Sequence, residues 1–398
     1  MTIDLDALPR KMELLPSPRK GGWIALVLQS GLLGSGSVVL LWPADGLRGS
    51  LWFWCCAVVL PVIPGVLLFA FRRLAHERQQ DFALAWNTTL EEQELKLIQH
   101  GQRAAGLLAT AYCTPAGNNR LAHAILMGSK PLQPVYLQEF GRTMRLSQLV
   151  PTVQASPQLD YVERLKPFLQ QVTKNLQPDL LLLGCTTPVR LRIKHNQIVP
   201  DTELLALWHS CVVDGLSIDA VDFTQDDGLL WLEAWLDESE PCDLLLSLEI
   251  NLFVEPIEAQ AESVSALLVA HPRYAITQSL APKAWIHRPV PMTNHARSLR
   301  DALLWGRVGE KDQSLRAACQ TQVSGDEACA ASILLAGAGH ALAPEQLVRL
   351  DDSFGRPGSA VANIALVVAS EQAASTGESQ LIMLRDASSQ WCVVSPAL

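Results

Sequence analysis

Two long apolar stretches open the chain. Residues 23–43 carry only Gln29 and three serines as polar side chains, and residues 51–71 carry no charge at all. Each is about 20 residues, the length a helix needs to cross a ~30 Å hydrocarbon layer. The pattern therefore predicts a transmembrane helical hairpin over 23–71, closed by the short turn Ala44–Ser50. The first stretch starts late and a second follows at once, which does not fit a cleaved signal peptide. Trp23, Trp42, Trp52 and Trp54 lie near the stretch ends, where amphipathic rings favour the membrane–water interface. Gly31, Gly34 and Ser37 recur on one face of the first span, a small-residue stripe suited to close helix packing.

Flanking cations set an orientation. Arg10, Lys11, Arg19 and Lys20 precede the first span, Arg72, Arg73 and Arg78 follow the second, and Arg48 is the lone cation of the turn. Both ends, including the tail 1–22, are expected in the cytosol of a bacterial inner membrane.

Beyond the hairpin the period changes. Residues 72–100 are charged and lack Gly and Pro, which predicts a connecting helix over 72–105. From Gly106 onwards, strands alternate with helices. Leu107–Cys113 reads as a strand running into the turn Thr114–Asn118 and a helix over Asn119–Gly128. Tyr161–Leu176 has an amphipathic helical pattern, and Leu180–Leu183 reads as a short buried strand ending at Gly184. A helix is expected over Leu229–Leu236, strands over Asp243–Leu248 and Ser263–Ala270, and helices over Ala296–Trp305 and Val361–Ala374. Leu381–Leu384 and Trp391–Val394 form a terminal hairpin. Such alternation predicts a layered α/β fold around a largely buried sheet. The Pro-rich segment 281–292 is the expected boundary between halves, 106–280 and 281–398.

Charge and composition narrow the function. A net charge of −9 argues against nucleic acid as a ligand, since phosphate binding needs clustered Lys and Arg. An acidic surface suits a basic protein partner instead. The nine cysteines form no CxxC pair or metal-ligand set and sit mostly in apolar runs, which fits a reducing compartment. Neither a P-loop, a GxSxG, an HExxH nor a dinucleotide fingerprint occurs, so no cofactor or metal is expected. His340 reads as structural, and the pairs Asp226-Asp227 and Asp351-Asp352 read as turn residues or helix caps.

A distributed pattern carries more. The Thr114-Pro115-Ala116-Gly117-Asn118 turn between a strand and a helix resembles the opening of a β-ketoacyl synthase. Leu229–Leu248 is similar to the helix and core strand that follow the nucleophile in that family. Glu262–Val269 looks like its Gly-Glu-Gly-Ala-Ala-Ala-Leu-Val-Leu strand, and Phe354–Ala360 like its Gly-His-Thr-x-Gly-Ala-Ala-Gly loop. The four matches keep the family's order over 106–396. They imply a thiolase-like layered αβαβα domain following the two transmembrane helices.

The same resemblance implies lost catalysis. The family uses a cysteine at a helix N-terminus, where the dipole and N–H groups lower its pKa, assisted by two histidines. The stretch where that cysteine is expected, Ser217–Thr224, offers Asp222 and Phe223 instead. Arg356 stands where the last histidine is expected, and Val323–Glu327, with Asp326, stands where the first is expected. Asp222, Phe223, Asp326 and Arg356 are thus the candidate residues of a vestigial site, with no catalytic residue among them.

Three functions fit this description. One is a membrane-anchored, non-catalytic binding protein, in a specific version an immunity protein that neutralises a type VI secretion toxin. A second is an accessory or enzymatic subunit of acyl-chain metabolism, in which a homodimer would be expected. A third is a scaffold of an envelope machine, assembled through the hairpin.

Overall fold

The computed structural model describes residues 3–16, 20–43, 48–153, 160–183, 187–212, 216–225, 227–238, 242–309 and 314–397. Arg19, Gly184, Cys185, Asp226 and residues 44–47 of the hairpin turn lie outside the described residues. The chain divides into two compact units, Thr2–Leu97 and Ile98–Leu398.

The first unit is helical. Helix α1 spans Lys20–Leu41, and α2 runs from Leu51 to Gly101. The charged stretch 72–100 continues the second apolar helix without a break. Both helices are long and apolar enough to cross a membrane. They do not behave as core helices of a soluble protein, because Leu32, Leu40 and Leu51 are 76%, 85% and 88% exposed.

The small-residue stripe faces the second helix. A Cβ on Gly34 would stand 2.4 Å from Cβ of Pro61, and one on Gly65 would stand 2.4 Å from Oγ of Ser30. Within α2, a π-helical turn over Cys55–Val59 loosens the regular ladder and leaves carbonyls open to outside donors. The Ser35 hydroxyl takes one of them, donating to the Ala57 carbonyl at 2.5 Å. Ser37 instead bonds within its own helix, to the Leu33 carbonyl.

The second unit opens with β1 (Ala105–Cys113) and α3 (Leu121–Leu126). A small hairpin, β2 (Gln133–Leu137) and β3 (Arg142–Leu146), stands apart from the main sheet. Then come α4 (Tyr161–Leu183), β4 (Val189–His195), α5 (Asp201–Cys211), β5 (Ile218–Phe223), α6 (Leu230–Leu236), β6 (Leu244–Asn251) and β7 (Ser263–Ala270). Short helix α7 (Pro272–Thr277) leads to β8 (Ala284–Ile286), β9 (Val290–Pro291), α8 (His295–Trp305) and β10 (Leu315–Thr321). The chain continues with α9 (Gly325–Gly337), β11 (Leu347–Arg349), α10 (Val361–Thr376), β12 (Ser379–Arg385) and β13 (Ser389–Pro396).

The sheet order is β11-β10-β12-β13-β8-β1-β7-β6-β4-β5. Taking β1, β4, β5, β6 and β7 as strands one to five, and β8, β10, β11, β12 and β13 likewise, both sets read 3-2-4-5-1. In each set the fifth strand is antiparallel to the fourth, and the two first strands pair antiparallel with each other. The body is therefore an internal duplication, its halves related about the β1–β8 pair.

Side-chain alternation turns this sheet system into layers. Leu244, Leu246 and Leu248 of β6 pack outward with Leu165 and Leu169 of α4 and Trp208 of α5. Leu381 and Met383 of β12 pack on the opposite outer side with Leu299 of α8 and Leu335 of α9. The inward faces share one core with α6 and α10, in which Ile364 and Leu366 touch no solvent. The order is α, β, α, β, α, the layered α/β fold that the sequence predicts.

One expected element is wrong. Leu180–Leu183 is the last turn of α4, not a buried strand, and Leu182 is 85% exposed. A four-residue apolar run has no period of its own, and here the helix begun at Tyr161 carries through it. The strand lies further on at β4, whose apolar residues alternate with Arg190, Arg192 and Lys194.

Two consequences can be measured. Gly34→Leu should overpack the hairpin by about 1–3 kcal/mol, lowering the SDS concentration at which the full chain in micelles loses its native tryptophan fluorescence. The second concerns pH. Burial, reinforced by nearby arginines, pushes the imidazoles of His271 and His287 down to about 4. The unfolded chain therefore binds protons first, so stability is complete above about pH 6.5 and declines as pH falls towards about 4. His271 caps α7 by accepting from the Arg273 amide. His271→Asn keeps the cap and should flatten the acid side of the stability curve, read by denaturant titrations across that pH range.

Candidate functional site

Both halves present the ends of their strands to a single cleft of about 660 Å³. Ligand sites of α/β sheets form at the carboxyl ends of strands, where loops diverge. The first half contributes Lys194, His195, Asn196 and Gln197 from the end of β4, Gln225 from the β5–α6 connection, and Gln260 from the loop before β7. The second contributes Gln322, Val323 and Ser324 after β10, and Asp351. It also supplies Arg356, Gly358 and Ser359 ahead of α10, and Arg385 and Asp386 at the end of β12. Equivalent loops of the two repeats thus face each other.

The floor is a buried ionic network. Arg192 on β4 has a side chain 3% exposed, and its Nη1 donates to Glu249 Oε1 at 2.9 Å and to Ser247 Oγ at 2.9 Å. Its Nη2 donates to Asp227 Oδ1 at 2.6 Å, and its guanidinium lies 5.1 Å from the Trp231 ring centre. Glu249 Oε2 accepts from the Asn363 amide at 2.8 Å, in the first turn of α10. Burial raises the Glu249 carboxyl above its ordinary value, while Arg192, Lys194 and the Asn363 amide pull the other way. Arg192 remains a cation throughout, and its donors are taken up by Glu249, Ser247 and Asp227.

A second buried cation, Lys194, bonds Asp386, whose Oδ2 also accepts from the Gly228 amide at 2.7 Å. His195 is held by Asp201 and by Gln197, whose side-chain amide also lies 3.1 Å from Nε2. Its Nδ1 accepts from the Gln197 amide at 3.3 Å, which leaves Nε2 to donate to Asp201 at 2.8 Å. Behind the cleft, Arg164 of α4 makes two bonds to Glu262, at 2.9 and 2.5 Å, and three more to backbone carbonyls. The Glu262 position of the ketosynthase-like strand therefore serves to clamp α4 to the loop before β7.

The four residues expected from sequence do not gather. Asp222 and Phe223 end edge strand β5, not the start of a helix. Asp222 is exposed and pairs with Arg190 at 3.0 Å, and the Phe223 ring lies 6.1 Å from His195. Asp326 is exposed in the first turn of α9. Arg356 does line the cleft, and Gln225, two residues beyond Phe223, lines it with Arg356. The next helix along the chain after Phe223 is α6, beginning at Leu230.

Sequence reasoning missed Arg192, Lys194, Glu249 and Asp386. The signal lay in Val189–His195, where apolar residues alternate with three cations. That is a strand pattern with one charged face. No cysteine occupies residues 212–241, and among the described residues none lines the cleft. Cys113 and Cys319 are buried, and burial pushes their thiols up to about 11 and 12. Among the described residues no group of three or more His, Cys, Asp and Glu is arranged to hold a metal ion.

No family model matches the chain, and no curated protein does. It is similar to several solved structures. One is a ketosynthase from module 1 of the bacillaene synthase of Bacillus amyloliquefaciens FZB42, at 8% identity and TM-score 0.49, covering 74% of this chain and 76% of that one. Another is the 3-oxoacyl-[acyl-carrier-protein] synthase III of Aquifex aeolicus VF5, at 13% identity and TM-score 0.42, covering 73% and 98%. A third is the peroxisomal 3-ketoacyl-CoA thiolase of Saccharomyces cerevisiae, five-layered and built from two core domains of identical topology, at 8% identity and TM-score 0.45, covering 74% and 98%. By its own strand order and layering, the body of this chain is a mixed α/β, thiolase-like fold preceded by two apolar helices.

Proposed function

We propose that this chain is a membrane-anchored binding protein that uses a ketosynthase-like frame without ketosynthase chemistry. The observation that carries the reading is the β5–α6 connection. It leads into a helix N-terminus at the cleft, the setting in which the family places its nucleophilic thiol. Here it holds Gln225 and Asp227, and Asp227 is consumed by Arg192. A carboxylate tied to a guanidinium forms no thioester. Of the four vestigial positions, Arg356 lines this cleft, while Asp222, Phe223 and Asp326 lie on β5 and in the first turn of α9, outside its described lining.

In this proposal the hairpin anchors the chain in a bacterial inner membrane and the body faces the cytoplasm, which the flanking cations and unpaired cysteines support. The partner is a protein, and the acidic charge of the chain suits a basic one. An antibacterial toxin of a type VI secretion system, neutralised by this chain as its immunity protein, is the specific version.

Two experiments bear on it. Incubating the full chain in micelles with a radiolabelled acyl-CoA, followed by intact-mass measurement, should leave the mass unchanged. Stoichiometric gain of one acyl group would end the non-catalytic reading. Capture on the tagged full chain from membranes of its native host should recover a basic protein in near-equal amount. Recovery of an acyl carrier protein or a synthase subunit would instead assign the chain to acyl-chain metabolism.

A further inference from the structure

The cleft has a charge imbalance that its internal bonds do not remove. Among the described lining residues two are carboxylates, and both are in use. Asp386 accepts from Lys194 and from the Gly228 amide, and Asp351 accepts from the Thr321 hydroxyl at 2.8 Å and the Gln322 amide at 2.9 Å. Lys194 is spent on Asp386. Arg356 differs from all of these. Its backbone is pinned, the amide donating to the Ala259 carbonyl at 2.9 Å and the carbonyl accepting from the Ala261 amide at 2.8 Å. Its exposed side chain lines the cleft, and among the described residues no carboxylate lies within ion-pair distance of its guanidinium. Arg385, beside it, is half-exposed and reaches Glu327 only at 3.6 Å.

The rest of the lining offers hydrogen bonds and little else. Of the fifteen lining residues, Val323 alone has an apolar side chain beyond a methylene stem or glycine. Gln260 Oε1 is buried with no partner in the fold. Gln197 and Gln322, one from each half, both hold the left-handed conformation at φ 58° without being glycine. Gln322 is held there by Asp351 and by the carbonyls of Gly358 and Arg385. Non-glycine residues in this region cost energy and collect at ligand sites.

We propose that the cleft binds a small, hydroxyl-rich organic anion, a carboxylate or a phosphate ester, with the Arg356 guanidinium gripping the anionic group and the amide side chains reading the polar remainder. Guanidinium forks bind both groups through paired hydrogen bonds. A cleft of about 660 Å³ has the size of a small-molecule site. An acyl chain would meet only one apolar side chain, Val323, among the described lining residues. The inference rests on the non-catalytic reading of this same cleft and gives it a ligand class.

Three matched probes test it on the full chain in nanodiscs by isothermal titration calorimetry: glucose 6-phosphate, gluconate and glucose. Saturable binding of one or both anions, at least about tenfold tighter than glucose, is expected. Preference for the phosphate or the carboxylate would say which source supplies the ligand. Arg356→Gln should weaken anion binding by about tenfold or more without lowering the ligand-free unfolding temperature, because the side chain is exposed. Arg356→Lys should fall between the two, and Arg142→Gln, on an exposed strand of the separate hairpin, should bind as the parent does. Glucose binding as well as the anions, anion binding indifferent to Arg356→Gln, or no heat from any probe up to millimolar concentration would each overturn the proposal. Acylation of the chain would defeat the non-catalytic reading while leaving these titrations to stand, so the two failures are distinguishable.

Discussion

A guanidinium in the dry centre of the body must be paired, and much of the architecture follows from how Arg192 meets that demand. An ionised group cut off from water is tolerable only when neighbouring charges and hydrogen bonds replace its hydration. Arg192 finds them in Glu249, Ser247 and Asp227. Those partners come from the adjacent strand β6 and from the connection ahead of α6, while Glu249 in turn holds the first turn of α10. Four elements are therefore fixed to one another by geometry that allows no sliding. Removing one member of such a set typically costs about 3–5 kcal/mol, because its partner is left charged and buried.

The duplicated sheet explains why this network lies where it does. Each half alone would leave the inward face of its strands uncovered. The shared central layer covers both, and α10 is buried along Val361–Ala369 with Asn363 as its one polar side chain there. On β12 and β13 the inward positions are mostly apolar, as in Ile382 and Val394, with Gln380 and Gln390 the polar exceptions. On β4 they are polar throughout, through Arg190, Arg192 and Lys194, and on β6 they become polar after Leu245, through Ser247 and Glu249. The transition from apolar to ionic along β6 marks the mouth of the cleft. A rigid charged floor beneath walls of adaptable amides is an arrangement suited to orienting a ligand.

The sequence was legible where a strand is buried on both faces. Ser263–Ala270 has one reading because it is free of charge, apolar but for Ser263 and Ser265, and bounded by Glu262 on one side and His271-Pro272 on the other. The layered α/β class followed from such runs. The reading failed where apolarity and polarity carried a different meaning. Leu180–Leu183 looked buried and is a helix end, while Arg190, Arg192 and Lys194 looked solvated and line a strand of the core. Elements β4, α5, β5, β10 and α9 passed unnoticed for related reasons, since short elements of mixed composition give little period. In the site, Arg356 was marked by its Gly-Arg-Pro-Gly setting. Asp222 and Phe223 were marked through a family register that falls on a strand, with the helix start seven residues later. Pairs such as Lys194 with Asp386 are written far apart and carry no local trace.

That last separation has a bearing on how the protein is made. Lys194 and Asp386 lie 192 residues apart, so a ribosome moving at about 5–20 residues per second leaves the lysine waiting roughly 10–40 s for its counter-ion. The hairpin emerges before either of them. During that interval the first half can assemble its outer helices and its Arg192 network, but its end of the central layer stays open and, among the described residues, Lys194 has only Asp227, at 3.9 Å, to answer it. The nascent chain is thus an incomplete half-body, exposing a polar seam until the final strands arrive. Dependence on chaperones falls on that window.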